Sequence, residues 1–194
     1  MSRTKTFDPQ TVLDKAVNLL WFQGYERTTI QDLVDHLGIG RGSLYATFGG
    51  KRELFLAALD RYREQRNQRF IGILSQPPTA KAGIRAVFAD AIEEALNDPQ
   101  QRGCLMTNST AEVAPHDPAV QERVAENRAV MVTAFRDTIR RGQESGEINP
   151  ALDADALGLY FYNALQGIRV VAKTNPSRDM LTQIVSVTLT ALDR

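Results

Sequence analysis

Residues 38–51 read GIGRGSLYATFGGK. Five glycines and a closing lysine are the ingredients of a phosphate cradle, so two nucleotide-binding patterns can be tested on the stretch directly. A P-loop, G-x-x-x-x-G-K-[ST], needs a glycine where Tyr45 stands and a Ser or Thr where Arg52 stands. A dinucleotide fingerprint needs a strand before Gly38 and a third glycine at position 43; the preceding segment has helical periodicity and position 43 is Ser43. Both patterns fail. The glycines instead punctuate helices: Gly38 suits a C-cap, while Gly40 and Gly42 suit the start of the next helix, where small residues let the backbone approach another surface closely.

Outward from this stretch, apolar residues recur at helical spacing and no segment alternates apolar and polar residues as a half-buried strand does. The fold class is therefore all-α. The first helix opens at Asp8-Pro9, an N-cap carboxylate followed by proline, and ends at Gly24, with Val12, Leu13, Ala16 and Leu20 on its apolar face. A second opens at Thr28-Thr29, with Asp32 placed as in a capping box, and stops at Gly38; Ile30, Leu33, Val34 and Leu37 form its stripe. A third runs through Ser43, Leu44, Tyr45 and Phe48 to Gly49-Gly50. Two short helices across a tight glycine turn make a helix-turn-helix. A fourth helix, about 51–75, carries Leu54, Phe55, Ala58, Leu59 and Tyr62 and is stopped by Pro77-Pro78. Further helices are expected at about 80–97, 103–113, from Asp117-Pro118 to Gly146, 154–173 and 177–192. This gives a three-helix N-terminal domain over residues 1–52 and a helical body over 53–194, linked by the fourth helix.

With 194 residues, 43% of them hydrophobic, the chain can bury a substantial core. No apolar run approaches the ~18 residues of a membrane span, and MSRTKTFDPQ lacks the apolar core of a secretory signal, so a cytoplasmic protein without a membrane partner is expected. One cysteine excludes an internal disulfide, and His36 and His116 lie too far apart in sequence for the usual Cys/His metal spacing; no metal and no cofactor are expected. Formal net charge is zero, but residues 1–69 carry 11 Lys+Arg against 8 Asp+Glu, and residues 70–194 carry 12 against 15. That asymmetry suggests a basic arm that meets a polyanion.

The run TTIQDLVDHLGIGRGSLYATFGGKRELF resembles the DNA-binding domain of the tetracycline-repressor (TetR) family: a first helix ending in GY, Thr-Thr opening the second, LG closing it, then G-S-L-Y-x-x-F and a lysine opening the fourth. The detailed resemblance covers roughly residues 8–60. It implies a homodimeric transcriptional regulator, usually a repressor, with no catalytic residues, whose C-terminal helices dimerise and enclose a pocket for a small-molecule effector. The third helix would then lie in the major groove of a double-stranded DNA operator. Arg41 is the candidate base reader, through guanine O6 and N7, and Gly42 allows close approach. Ser43 suits a base or a phosphate, and Ala46 and Thr47 offer methyl groups to thymine. Thr29, Tyr45 and Lys51 resemble the family's phosphate contacts. Tyr45 reads alternatively as a packing aromatic and Lys51 as a solvated helix start. Many relatives carry an aromatic residue or histidine at positions 46 and 47, so base contacts there are fewer or differently placed.

The resemblance places an effector pocket in the body, with Phe88, Cys104, Met106, Asn108, Met131, Phe135, Phe161, Tyr162 and Gln166 as candidate lining, although Met and Phe at helical spacing also suit ordinary core. Cys104, near Arg102, reads as a buried thiol or as one whose acidity an arginine raises. Homodimerisation is expected through the last two helices, using stripes of Leu157, Phe161, Ala164, Leu165, Ile168 and Val171 on one and Leu181, Ile184, Val185, Thr188, Leu189 and Leu192 on the other, with Gly158, Ala164 and Gly167 permitting close approach. Two rival readings are a ligand-binding or interaction module that keeps the helix-turn-helix as scaffold, and an enzyme built on Glu112 and His116, the only acid/base pair close in sequence.

Overall fold

The computed structural model describes residues 7–193, and among these every regular element is helical. Arg3 and Lys5, part of the expected basic arm, lie outside the described residues. The order is α1 (Pro9–Gln23), α2 (Ile30–Leu37), α3 (Arg41–Phe48), α4 (Lys51–Ser75), α5 (Ala80–Asn97), α6 (Leu105–Glu112), α7 (Pro118–Glu144), α8 (Ala154–Val171) and α9 (Arg178–Leu189), with 3-10 turns at Ala172–Thr174 and Thr190–Leu192.

Local chemistry sets most boundaries. The Asp8 carboxylate accepts the Gln10 and Thr11 amides, and Asp117 does the same for Ala119 and Val120, each with proline at the first helical position. Gly38 and Gly49 close α2 and α3 in the left-handed region, where a side chain would strain the backbone. Helix α3 begins at Arg41, between the two glycines expected at its start, with Gly40 in the extended N-cap conformation. Helix α7 ends at Glu144, short of Gly146, with Ser145 as its cap.

Two cores share one helix. Leu54, Phe55, Ala58, Leu59 and Tyr62 of α4 pack with Val12, Ala16 and Leu20 of α1, with Leu33, Leu37 and Leu44, and with Cys104, Leu105 and Met106 from the body. Phe70 and Leu74, near the end of the same helix, pack with α5, α7, α8 and α9. In that second core Phe135 lies 5.1 Å from Phe70, 6.4 Å from Phe88 and 5.9 Å from Phe161, ring centre to ring centre. Phe88, Phe135, Phe161 and Met131 are thus packing residues of one core.

The apolar stripes expected to face a second subunit are largely turned inward. Phe161, Leu165, Ile168, Leu181, Val185, Thr188 and Leu192 are buried within the chain, and a Cβ on Gly158 would stand 3.1 Å from the Val132 carbonyl of α7. Periodicity identifies a face that must be covered, and here α5 and α7 cover it. Outside, α8 shows Leu159, Tyr160 and Val170, and α9 shows Met180, Ile184 and Val187.

Where α5 crosses α4 the approach is close: a Cβ on Gly83 would fall 2.3 Å from the Leu74 carbonyl oxygen, while one on Gly72 would meet nothing within 4 Å. Gly83→Ala is expected to lower stability by roughly 1–3 kcal/mol through overpacking. Gly72→Ala should raise it by about 0.5–1 kcal/mol through helix propensity. Denaturant unfolding of both variants checks the pair.

Candidate nucleic-acid interface and the adjoining cavity

Helix α3 is held by one side chain and presents the rest. Leu44 is fully buried, whereas Arg41, Gly42, Ser43, Tyr45 and Ala46 are exposed and Thr47 is half-buried. Gly40 supplies no side-chain cap, so the first-turn amides of α3 remain available to an outside acceptor.

Lys51 opens α4 with its Nζ 4.2 Å from the centre of the Tyr25 ring, which itself packs on Phe55. Its ammonium is therefore held beside the turn that precedes α2. Thr29 caps α2 in a complete capping box. Its amide donates to Asp32 Oδ2 at 2.8 Å, its hydroxyl donates to the same oxygen at 2.7 Å, and its Oγ1 accepts from the Asp32 amide. The bond from the Thr29 amide holds the Asp32 carboxyl below its ordinary range. Both polar hydrogens of Thr29 are engaged internally, leaving other first-turn amides of α2 for a phosphate.

The distribution of cations separates this face from the rest of the N-terminal third. Arg52 makes a two-pronged pair with Asp117 at 2.7 and 2.9 Å, Arg61 binds Asp14, and Arg63, Arg66 and Arg69 pair with Glu126, Glu94 and Asp90. Arg41 and Lys51, with Lys15 and Arg27, have no carboxylate within ion-pair distance among the described residues. The uncompensated positive charge of this region includes the two ends of the helix-turn-helix that the sequence nominated.

The description of bacterial regulatory proteins of the tetR family matches residues 12–58, and that of the tetracyclin repressor-like C-terminal domain matches residues 80–187. The chain belongs to the TetR family. TetR-family relatives include YezE of Bacillus subtilis, an uncharacterized HTH-type transcriptional regulator 36% identical over the full length of both chains. The HTH-type transcriptional repressor ComR of Escherichia coli is 29% identical, over 96% of this chain and 90% of its own. Among solved structures, a cysteine mutant of the TetR-family regulator CifR complexed with 26-bp double-strand operator DNA superposes with a TM-score of 0.88 at 29% identity, covering 98% of this chain and all of that one. Members are DNA-binding transcriptional regulators, not enzymes.

The acid/base pair of the enzyme reading is also otherwise occupied. Glu112 accepts the Tyr25 and Glu26 amides at 3.2 and 2.9 Å, tying α6 to the turn before α2, and His116 is exposed. This TetR-family body holds a cavity of about 270 Å³ where α1, α4, α5 and α8 meet the loop before α6, small for a ligand site. Trp21, Arg66, Glu94, Asp98, Arg102, Cys104 and Arg169 contribute to its wall. Of the nine residues nominated as lining, Cys104 reaches this cavity; Met106 is buried in the N-terminal core. Asn108 bonds the Arg102 carbonyl and Lys173, Gln166 accepts from the Thr107 hydroxyl at 2.6 Å, and Tyr162 is half-buried.

Arg102 does not act on the Cys104 thiol. Its guanidinium lies 4.1 Å over the Trp21 ring and pairs with Asp98. Burial pushes the thiol up, but the Arg169 charge together with hydrogen bonding from Tyr62 and Thr107 outweighs it, leaving Cys104 below its ordinary value.

Gly42 separates a contact residue from a structural one. Its φ is ordinary and a Cβ there would meet nothing within 4 Å. Gly42→Ala should therefore leave stability unchanged or raise it by up to about 1 kcal/mol. It should still weaken binding to a specific duplex several-fold if α3 enters the groove. Thermal unfolding and a duplex titration, read together, check this.

Proposed function

We propose that this protein is a sequence-specific transcriptional repressor in the cytoplasm. It binds a near-palindromic operator as a homodimer and is released by a small-molecule effector. Residues 1–52 form the reading head and residues 53–194 the ligand-binding and dimerising body. The observation that carries the reading is the outward face of α3: a buried Leu44 orients a helix whose exposed side bears Arg41, a forked cation without an internal carboxylate. Arg41 reads a guanine, and Gly42, Ser43, Ala46 and Thr47 line the groove contact. Tyr45, Lys51 and the α2 terminus at Thr29 hold phosphates. The operator complex of CifR, similar over nearly the whole chain, supports the same use of the head.

The dimer is assigned to the faces that α8 and α9 leave uncovered. Val187 is 69% exposed, Leu159 55% and Val170 54%, and Met180, Ile184 and Val187 share one side of α9. Apolar faces on two adjacent helices, repeated by a two-fold axis, build a four-helix interface.

Selection from random duplex DNA with the purified protein is expected to enrich a two-fold symmetric site, whose affinity falls steeply between low and moderate salt as phosphate contacts require. Val187→Glu is expected to yield a monomer by sedimentation with weakened site binding, while Arg41→Ala remains dimeric. A folded dimer that enriches no duplex removes the reading.

A further inference from the structure

The cavity beside α1 has an electrostatic asymmetry. Three guanidinium groups and two carboxylates line it, and four of these five are already matched: Arg66 with Glu94, and Arg102 with Asp98. Arg169 is left over. It is half-buried on α8, its Nη1 reaches only the Met131 sulfur at 3.9 Å, and no carboxylate lies within ion-pair distance among the described residues. Glu94, already held by Arg66, lies within the field of Arg169 but does not pair with it. A partly desolvated guanidinium with no direct partner favours a further anion, and a carboxylate matches its fork with two parallel hydrogen bonds.

The remaining wall is mixed, with Asn97, Gln101 and Cys104 on the loop side and a patch of small apolar residues on the helices. Ala91 and Ala95 of α5 and Ala172 after α8 border the space, which leaves room for a carbon skeleton behind a charged group. The Trp21 indole also lines it, and its Nε1–H is buried with no acceptor among the described residues. An unmatched donor and an unmatched cation border one cavity, so an acceptor-rich ligand would satisfy a deficit that the protein alone leaves open.

We propose that this cavity takes a small organic acid, its carboxylate paired with Arg169 and its apolar body against Ala91, Ala95 and Ala172. Because Trp21 belongs to α1, such a ligand touches the reading head directly. The wall of the cavity would then change with the position of α1, and occupancy would favour one position. That regulatory consequence rests on the proposed function above; the binding does not.

Trp21 is the only tryptophan of the chain, so its fluorescence reports on the cavity without a label. Benzoate and hexanoate serve as probes, with benzamide and inorganic phosphate as controls, each titrated into the full-length protein at neutral pH. A saturable change in Trp21 emission is expected with the two carboxylates and not with the controls. Arg169→Gln should weaken carboxylate binding by about tenfold or more, the loss of one charged hydrogen-bonding partner. Arg169→Lys should fall between, and Arg41→Ala should bind as wild type. Circular dichroism melting of each variant separates loss of the site from loss of the fold, and Arg169→Lys serves if Arg169→Gln does not fold.

Equal response to benzamide would overturn the proposal, because charge would then be irrelevant. Equal response to phosphate would show a bare anion site and overturn the apolar part. No saturable response to either carboxylate from folded protein would overturn it outright. Carboxylate binding by a protein that selects no duplex would sustain this inference while removing the regulator reading, and duplex selection without carboxylate binding would do the reverse.

Discussion

Helix α4 belongs to both hydrophobic cores, and the placement of the reading head follows from that. Its 25 residues span about 37 Å. The first half buries Leu54, Phe55, Ala58, Leu59 and Tyr62 against α1 and the helix-turn-helix, and the end buries Phe70 and Leu74 in the body. A helix committed at both ends cannot turn at one without disturbing packing at the other, because cores are close-packed and not freely deformable. Two polar contacts reinforce the link: Glu112 holds the Tyr25 and Glu26 amides, and Arg52 grips Asp117 at the start of α7. The Arg102 guanidinium over the Trp21 ring adds a third tie between the α5–α6 loop and α1.

The zero net charge conceals a division of labour. Arginines of α4 are spent on carboxylates of α1, α5 and α7, where they fasten helices together. Exposed pairs of this kind add little to stability singly, about 0–1 kcal/mol each, but they neutralise the flank of the molecule. Within the N-terminal third, the cations left without a carboxylate among the described residues include Arg41, which opens α3, and Lys51, which opens α4. For a polyanion the local field matters more than the total, so a balanced composition is compatible with DNA as partner.

Features set by neighbours in sequence were legible in it. Asp8-Pro9, Thr29 with Asp32, and Asp117-Pro118 mark helix starts through hydrogen bonds spanning two or three residues, and Gly38 and Gly49 mark ends through backbone conformation. The family was legible for the same reason, since its motif lies in one contiguous run. Long-range features were not. Helical periodicity shows that Phe161, Leu165 and Ile168 need covering but not what covers them, and here it is the chain's own α5 and α7. Phe88, Phe135 and Phe161 were nominated for an effector pocket beside Cys104 and several polar groups, yet these three are the residues a core consumes first, and of the set Cys104 lines the cavity. The cavity is walled by alanines, charged groups and the polar loop residues Asn97 and Gln101, together with a tryptophan from α1. Cys104 beside Arg102, and a lone Arg169 inside the apolar run of α8, are the local hints of it.

If the exposed face of α3 reads base pairs through Arg41, as proposed, the discriminating quantity is specificity, not affinity alone. The most direct test is the affinity of wild type and Arg41→Ala for the selected site and for an unrelated duplex of equal length, at one salt concentration. Loss of about 1–3 kcal/mol on the selected site, with little change on the unrelated duplex, is the result predicted for a base-reading guanidinium. An equal loss on both duplexes would make Arg41 a phosphate contact, and no loss on either would place the reading surface elsewhere.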